Sequence, residues 1–370
     1  MTNSLQPLLD QLQKTAGPVL WLADESNAAA LTSLAHYGPQ LTLVSNRYDL
    51  AAAAKQLNIN AHFSDFDFSF LYNRLHKLPA QQQPGQVFYR ISKERPVVNH
   101  IINSVFELLP PGGRLWLTGQ KTEGIKTYFS QACKLFGCNN RLQKLGNVYW
   151  GQLEKNALSG ERLNDRDYTQ LRRIKPADGE EFFSKPGTYG WDKIDQGSAF
   201  LITHISEILE NTPASDLRFL DLGCGYGYLT LQCRKFGFAT MTGTDNNAAA
   251  IRCAQANMDH FAVPATIVAD DCGATLQGPY DLILCNPPFH QGFSVEGALT
   301  DKFLKNTLRL LASGGHAYFV VNVFIPLESK ASDLSGNLLP KNLLPGKREH
   351  HTVSVIANNG RFKIIEIKKR

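Results

Sequence analysis

The chain has 370 residues, a net charge of +5 and 43% hydrophobic residues, a composition typical of a soluble globular protein with about two domains. No apolar run approaches the ~20 residues that a membrane span needs, and the start of the chain lacks a signal peptide, so we expect a cytoplasmic protein and exclude a membrane protein. The mildly basic charge is compatible with a polyanionic partner without requiring one, and the seven cysteines lack the spacing of a metal site.

In the first half of the chain, short apolar runs alternate with longer helical patterns. The runs "GPVLWLAD", "QLTLVS", "GQVFYRI" and "GRLWLTG" predict strands, and segments such as "DLAAAAKQL" and "VVNHIINSVFELL" predict helices between them. This alternation is typical of a parallel, doubly wound α/β layer. A polar segment at 156–180 then predicts a linker between a first domain at 1–155 and a second at 181–370.

The second half repeats the pattern with the strands "RFLDLG", "ATMTGTD", "ATIVAD", "YDLILCN" and "HAYFVVN". Residues 104–119 align with residues 306–321, since each segment reads as a helix, a Gly-Gly turn and a strand. Glycine is common at any helix C-cap, so the match alone is weak evidence. However, this segment of helix, turn and strand follows the preceding strand in the same order in both halves. We therefore predict a duplicated domain.

The first strand of the second half runs into a glycine-rich turn, "FLDLGCGYGYLTL". Asp221 ends the strand, and Gly223, Gly225 and Gly227 follow at alternate positions before a helix. Glycines at this place let backbone amides approach a ligand and let the helix pack on the sheet. By itself such a turn could bind a dinucleotide, an adenosyl cofactor or nothing.

Acidic residues at the ends of the next two strands narrow that choice. Asp245 is placed to accept hydrogen bonds from both ribose hydroxyls, and Asp270 or Asp271 to contact an adenine edge. The glycine spacing differs from the one that seats a pyrophosphate, and an acid before the turn suits an ammonium group. These features favour S-adenosylmethionine. The first half has "LWLADESNAAAL" at the corresponding place, without a glycine turn, so we predict that it has lost its cofactor site and serves as scaffold or substrate grip.

Two prolines end the fourth strand of the second half, "DLILCNPPFHQG". A proline inside a sheet removes a hydrogen-bond donor, so Pro287 and Pro288 must mark the strand's exit. With Asn286 they form rigid acceptors for the two hydrogens of a planar exocyclic amine, and Phe289 offers a face for stacking. Methyl transfer to such an amine needs little beyond positioning and electrostatics. We treat these four residues as the catalytic candidates; His290 is more often a structural residue in such a place than a proton acceptor.

The combination "DLGCGYG" followed by "NPPFH" resembles the bacterial ribosomal RNA guanine-N2 methyltransferases. The segment "KPGTYGWDKIDQGSAFL" at 185–201 resembles the segment that leads into the catalytic domain of that family, in which the positions of Asp195, Gly197 and Ser198 border the methionine end of the cofactor. The segment departs from the family at 189–191, where Phe, Ser and Arg are more common. "GNVYWGQLEK" resembles the small-subunit branch, whereas the basic, proline-bearing segment 329–351 is unusual for the family.

The resemblance implies two tandem Rossmann-like methyltransferase domains, the first degenerate and the second a seven-stranded sheet with a reversed last strand. It also implies S-adenosylmethionine as cofactor and a guanine N2 amine as target, flipped out of naked or partly assembled RNA. We favour 16S ribosomal RNA as the substrate, with 23S ribosomal RNA as the alternative. A monomer is expected. The Asn-Pro-Pro-aromatic quartet is shared by adenine-N6 and protein glutamine-N5 methyltransferases, and a non-catalytic RNA-binding module is a further alternative.

Overall fold

The computed structural model describes residues 4–24, 28, 30–75, 77, 79, 83–156, 160–174, 179–210, 213–288, 293–337 and 351–370. The chain divides into two compact units. The first consists of Met1–Leu171 with Lys185–Gly187, and the second of Arg172–Ser184 with Thr188–Arg370. The boundaries inferred from the sequence, with a linker at 156–180, stay a prediction.

The first unit is built on one seven-stranded sheet with helices between the strands. Its strands are β1 Val19–Ala23, β2 Leu41–Ser45, β3 Asn60–Phe63, β4 Gln86–Arg90, β5 Arg114–Gln120, β6 Gln143–Leu145 and β7 Val148–Glu154. Its helices are α1 Gln6–Leu12, α2 Leu31–Leu34, α3 Tyr48–Gln56, α4 Ser69–Leu75, α5 Arg95–Leu108 and α6 Ile125–Phe136. The strand order is β3-β2-β1-β4-β5-β7-β6, and β7 runs antiparallel to both of its neighbours.

The second unit contains a short antiparallel pair and a second seven-stranded sheet. The pair is β8 Arg172–Ile174 and β9 Phe182–Ser184; the sheet strands are β10 Arg218–Leu222, β11 Thr240–Asp245, β12 Ala265–Ala269, β13 Tyr280–Cys285, β14 Leu311–Asn322, β15 His351–Asn358 and β16 Phe362–Lys369. The helices are α7 Gln196–Leu209, α8 Tyr228–Cys233, α9 Ala248–His260, α10 Phe293–Leu310 and α11 Leu327–Asn337. The order is β12-β11-β10-β13-β14-β16-β15.

The two sheets have the same order, strand for strand, and in each the last strand is reversed and inserted beside the fifth. The fold class predicted from the sequence is therefore confirmed. The aligned Gly-Gly turns also agree in conformation, since Gly112 has φ +78° and Gly314 has φ +77°. A Cβ at the following glycine would lie 2.8 Å from the Pro110 carbonyl oxygen in the first unit and 3.0 Å from the Ala312 carbonyl oxygen in the second. Matched turns of this kind support a duplicated domain.

Central strands of both sheets read as continuous apolar runs because helices cover both of their faces. All five residues of β1 are buried. In β13 every residue is buried except Asp281, which is half-buried. Asp281 accepts two hydrogen bonds from the Arg218 side chain, at 2.9 and 3.2 Å, which ties β13 to the start of β10. No helix among the described residues is long and apolar enough to cross a membrane.

A buried cation marks the first unit. Lys185 has no exposed surface; its Nζ lies 2.7 Å from Asp65 Oδ2 and 3.3 Å from the centre of the Tyr168 ring. The Tyr168 hydroxyl donates to the other oxygen of Asp65 at 2.7 Å. A buried charge is tolerated only when it is paired and hydrogen-bonded in this way.

Of the unusual segment 329–351, residues up to Asn337 belong to α11, His351 begins β15, and 338–350 lie outside the described residues.

Candidate active site

Polar side chains stand in a row at one edge of the second sheet. β10, β11, β12 and β13 pair in parallel, so their carboxyl ends meet at the same edge. The row consists of Asp221, Asp245, Asp270 and Asn286. The carboxyl edge of an open α/β sheet is where ligands bind, so the fold brings the predicted residues to the expected place.

The glycine turn that follows β10 is hydrogen-bonded to the end of β11. The amides of Gly223 and Cys224 donate to the Thr244 carbonyl at 2.8 Å each, and the Gly225 amide donates to Asp245 Oδ2 at 2.9 Å. The three glycines of the turn have φ between +58° and +86°, a left-handed conformation that side-chain-bearing residues rarely adopt. A Cβ at Gly225 would meet no atom within 4 Å. Open space therefore lies directly against the backbone of the turn.

Asp221 is a buried carboxylate with only one of its oxygens satisfied. Its Oδ2 accepts hydrogen bonds from the amide and hydroxyl of Thr230, at 3.0 and 2.8 Å. Its Oδ1 is buried and has no hydrogen-bond partner among the described residues. Burial raises the pKa of Asp221 to about 7, and the charge of Asp245 adds to the shift, against the opposing effect of the Thr230 bonds. A cationic group placed against Oδ1 would relieve this cost.

The acids that close β11 and β12 differ in what they bind. Asp245 Oδ1 accepts a hydrogen bond from the Asn247 amide at 2.8 Å. Asp270 is fully buried; its Oδ2 accepts from the Thr275 hydroxyl at 2.7 Å, and its Oδ1 has no partner among the described residues. Asp271 instead forms an ion pair with Lys302 of α10, with the Nζ at 2.5 Å. The role given to Asp271 at an adenine edge stays a prediction, and Asp270 has the unsatisfied oxygen.

Asn286 follows β13 and is held by the start of α7. Its Nδ2 donates to Asp195 Oδ1 at 2.7 Å and to Ser198 Oγ at 2.8 Å. Asp195 is also the N-cap of α7, because the same Oδ1 accepts from the Ser198 amide at 2.9 Å. The two bonds use both hydrogens of the Asn286 amide. Its carbonyl oxygen is therefore the end that is oriented to accept a hydrogen bond from a substrate.

The other predicted residues lie around this amide. Pro287 is buried and Pro288 is exposed, as expected where a strand leaves the sheet. Gly197 lies in the first turn of α7, where a Cβ would come within 3.0 Å of Asp195 Oδ1 and 3.4 Å of the Phe362 ring, so a larger residue would press on the cap. Phe289 and His290 lie outside the described residues.

Three contributors were not foreseen from the sequence. Thr230 holds Asp221, Lys302 neutralises Asp271, and the Ser198 hydroxyl helps to orient Asn286. Ser198 three residues after an N-cap aspartate is a visible capping signal, although its second role is not. Nothing in the sequence distinguishes Thr230 or Lys302 from ordinary helix residues, because their partners come from other strands.

The chain is similar in sequence to known methyltransferases. Residues 179–366 match the family model described as "Methyltransferase small domain". A protein named "Ribosomal RNA small subunit methyltransferase C" from Hahella chejuensis is 26% identical over 369 residues, covering 98% of both chains. One of the same name from Escherichia coli O7:K1 is 25% identical over 281 residues, covering 75% of this chain and 74% of its own.

A solved structure shares the fold over nearly the whole chain. It is the T. thermophilus 16S rRNA N2 G1207 methyltransferase in complex with AdoMet and guanosine, which superimposes with a TM-score of 0.75 at 21% identity. The match covers 98% of this chain and 92% of that one. Both units of this chain therefore have a counterpart of the same fold in that protein.

Proposed function

The chain belongs to the methyltransferase small domain family, and we propose that it transfers a methyl group from S-adenosylmethionine to the exocyclic N2 amine of a guanine in small-subunit ribosomal RNA. The observation that supports this most directly is the oriented amide of Asn286 at the carboxyl edge, held by Asp195 and Ser198. The names of the relatives, and the guanosine bound to the T. thermophilus 16S rRNA methyltransferase, support the choice of guanine in small-subunit RNA.

The residues at this edge fit the cofactor. Asp221 Oδ1, buried and without a hydrogen-bond partner among the described residues, would receive the ammonium group, and the open space at Gly225 leaves room for the methionine part of the cofactor. Asp245 would hold the ribose hydroxyls, and Asp270 or Asp271 the adenine edge. S-adenosylmethionine, when bound, supplies an activated methyl group on a sulfonium. Asp195 and Gly197 would border the methionine end of the cofactor. They belong to the helix cap that positions Asn286.

The substrate side of the site works by positioning. The side-chain Oδ1 and the backbone carbonyl of Asn286 would accept the two N2 hydrogens of the guanine. These bonds would orient the nitrogen towards the methyl group. Pro287 and Pro288 keep these acceptors rigid, and Phe289 stacks on the base. A prearranged set of acceptors does not reorganise during the reaction, and this contributes most of the rate enhancement.

The partner and the setting follow from the substrate. The target guanine must leave its stack, which costs least in naked RNA or in a partly assembled subunit. We therefore propose that the protein modifies RNA in the cytoplasm during subunit assembly, and we expect it to act as a monomer. The first unit, which lacks the glycine turn, grips RNA; if the second unit alone methylated RNA at the full rate, this role of the first would be wrong.

The experiment that tests the proposal is transfer of radiolabelled methyl from S-adenosylmethionine to each purified, unmodified ribosomal RNA and subunit, followed by nucleoside analysis. We expect N2-methylguanosine from the small-subunit RNA only. Label in adenine, or in a glutamine of a release factor, would keep the cofactor assignment and overturn the substrate. Absence of label from every substrate would contradict methyl transfer and favour an RNA-binding module.

A further inference from the structure

An exposed aromatic side chain lies near the proposed target site. Among the described residues, Phe324 is the most exposed of the large hydrophobic side chains, at 73%. Single exposed apolar residues are common and need no explanation by themselves. Phe324 differs because of its position in the sheet and because the backbone on both sides of it is hydrogen-bonded.

The position of Phe324 is set by the pairing of β13 with β14. The two strands are parallel, and Cys285, the residue before Asn286, pairs with Phe319. Phe324 follows five residues later at the same edge of the sheet, so at ~3.3 Å per residue it lies at most about 16 Å further along the chain. An RNA strand whose target base reaches Asn286 can place a neighbouring nucleotide against Phe324.

The turn that presents Phe324 is fixed on both sides. The Val323 amide donates to the Arg361 carbonyl at 3.1 Å, and the Ile325 amide donates to the Asn322 carbonyl at 3.0 Å. Leu327, only 1% exposed, then anchors the start of α11 in the core. The ring of Phe324 is thus displayed on a hydrogen-bonded backbone, which lowers the entropic cost of binding a ligand.

A positive charge is anchored beside this turn. Arg361, whose carbonyl holds Val323, is exposed, and its Nη1 donates to the side-chain oxygen of Gln196. Its guanidinium also lies 5.2 Å from the centre of the Phe362 ring. Gln196 is the first residue of α7, next to the Asp195 cap that orients Asn286. Within the described part of the chain, no ion pair involves Arg361, so its charge is held in place by a neutral partner.

We propose that Phe324 and Arg361 form a flanking-nucleotide site, in which the ring stacks on a base next to the target guanine and the guanidinium binds a phosphate of the same strand. This inference rests on the function proposed above and extends it from the target base to its neighbour. Stacking on an aromatic ring is tolerant of base identity, and arginine binds phosphate through paired N–H donors. A displayed ring and a cation with no ion-pair partner among the described residues, on two turns joined by a backbone hydrogen bond, match the two parts of a nucleotide.

The test measures binding of a short unstructured RNA with a central guanine flanked by 2-aminopurine, whose fluorescence is quenched on stacking. We expect Phe324→Ala to weaken binding by about 5- to 150-fold and to remove the quenching, because one stacked base is lost. Phe324→Leu, which keeps apolar bulk without a π face, should resemble Phe324→Ala, and Phe324→Trp should resemble the wild type. Methylation of free guanosine, which has no flanking base, should be unchanged in all three.

Arg361 is tested by the salt dependence of the same binding. Loss of one phosphate contact to a single strand reduces the slope of log K against log salt by about 0.7. We expect this reduction for Arg361→Ala and an unchanged slope for Arg361→Lys. Ile208→Ala is the matched control for Phe324→Ala, because Ile208 is also an exposed apolar residue, at 39%, and lies near the opposite end of α7.

The outcomes separate this inference from the proposed function. If the wild type methylates guanine in RNA and Phe324→Ala binds and methylates RNA equally well, the flanking-nucleotide site is wrong and the function stands. If Phe324→Ala loses RNA binding in a protein that methylates no guanine, the site stands and the function is wrong. A wild type that binds none of these RNAs contradicts the flanking-nucleotide site, and the function is then decided by methyl transfer to ribosomal RNA. An equal loss of cofactor binding in Phe324→Ala would show a structural role and overturn the site.

Discussion

The side-chain nitrogen of Asn286 lies 2.7 Å from Asp195 Oδ1, although 91 residues separate the two in the chain. The bond joins the end of β13 to the start of α7. The same carboxylate oxygen accepts the Ser198 amide and so caps the helix. The orientation of the amide proposed to hold the substrate therefore depends on a helix cap, and both can be tested by substitution.

Replacing Asn286 by alanine should separate binding from chemistry. In the proposed complex, Asn286 contacts the substrate amine and not the cofactor, so Asn286→Ala should bind S-adenosylmethionine nearly as the wild type does. Methyl transfer should fall by about 10²- to 10³-fold, the usual effect of removing one prearranged polar group. Calorimetry and single-turnover transfer of labelled methyl give the two quantities. Equal losses of both would count against this role; Asn306→Ala, on α10, is the control.

Asp195 should act through Asn286 as well as through the helix cap. Asp195→Ala removes both acceptor contacts, and we expect a loss of about 1 kcal/mol in the free energy of unfolding together with a large fall in kcat. Asp195→Asn keeps an acceptor oxygen at the same place and should retain most of both. Urea unfolding and steady-state kinetics measure them. A stability loss in Asp195→Ala with unchanged kcat would limit Asp195 to capping.

Asp221 should make both stability and cofactor affinity depend on pH. Its pKa of about 7 lies above the ordinary 3.8, so the folded state holds a proton that the unfolded state has released, and stability falls as pH rises between these values. The loss for the cofactor-free protein is up to roughly 4 kcal/mol. Cofactor affinity should change in the opposite direction, rising with pH up to about 7, because the deprotonated carboxylate attracts the ammonium group.

The comparison that checks this uses Asp221→Asn, which stays neutral at every pH. Thermal unfolding and calorimetric titration with S-adenosylmethionine, each between about pH 5.5 and pH 8, should show flatter profiles for the variant. The variant should also bind the cofactor more weakly at the upper end of the range. Identical profiles for variant and wild type would show that another group titrates.

Gly225 and Gly237 form a matched pair for testing the glycine turn. Both have positive φ, +58° and +69°, and at both a Cβ would meet no atom within 4 Å. Alanine should therefore cost each site a similar amount, about 1–2 kcal/mol of backbone strain. Only Gly225→Ala should weaken cofactor binding, by at least about 10-fold, because its Cβ enters the proposed site. Equal cofactor affinity in the two variants would place the cofactor elsewhere.

The sequence by itself determined the fold and the edge of the sheet at which the candidate site lies. Buried parallel strands are continuous apolar runs, so each strand and its polar end could be read directly, and Asp221, Asp245 and Asn286 follow from strand endings alone. Positive φ at the turn glycines is likewise local, because a residue without a Cβ is needed there whatever surrounds it. The reversed last strand came from the resemblance to a family.

Only the tertiary structure decided which side chains meet. Asn286 with Asp195, Asp221 with Thr230, Asp271 with Lys302, and the turn of Phe324 with Arg361 join segments from 9 to 91 residues apart. Hydrophobic periodicity places a residue on a strand or helix but does not set the angle at which two elements pack. Hydrogen bonds require alignment to within a few tenths of an ångström. For this reason the sequence indicated the members of the candidate site, whereas their partners and protonation depended on the packed fold.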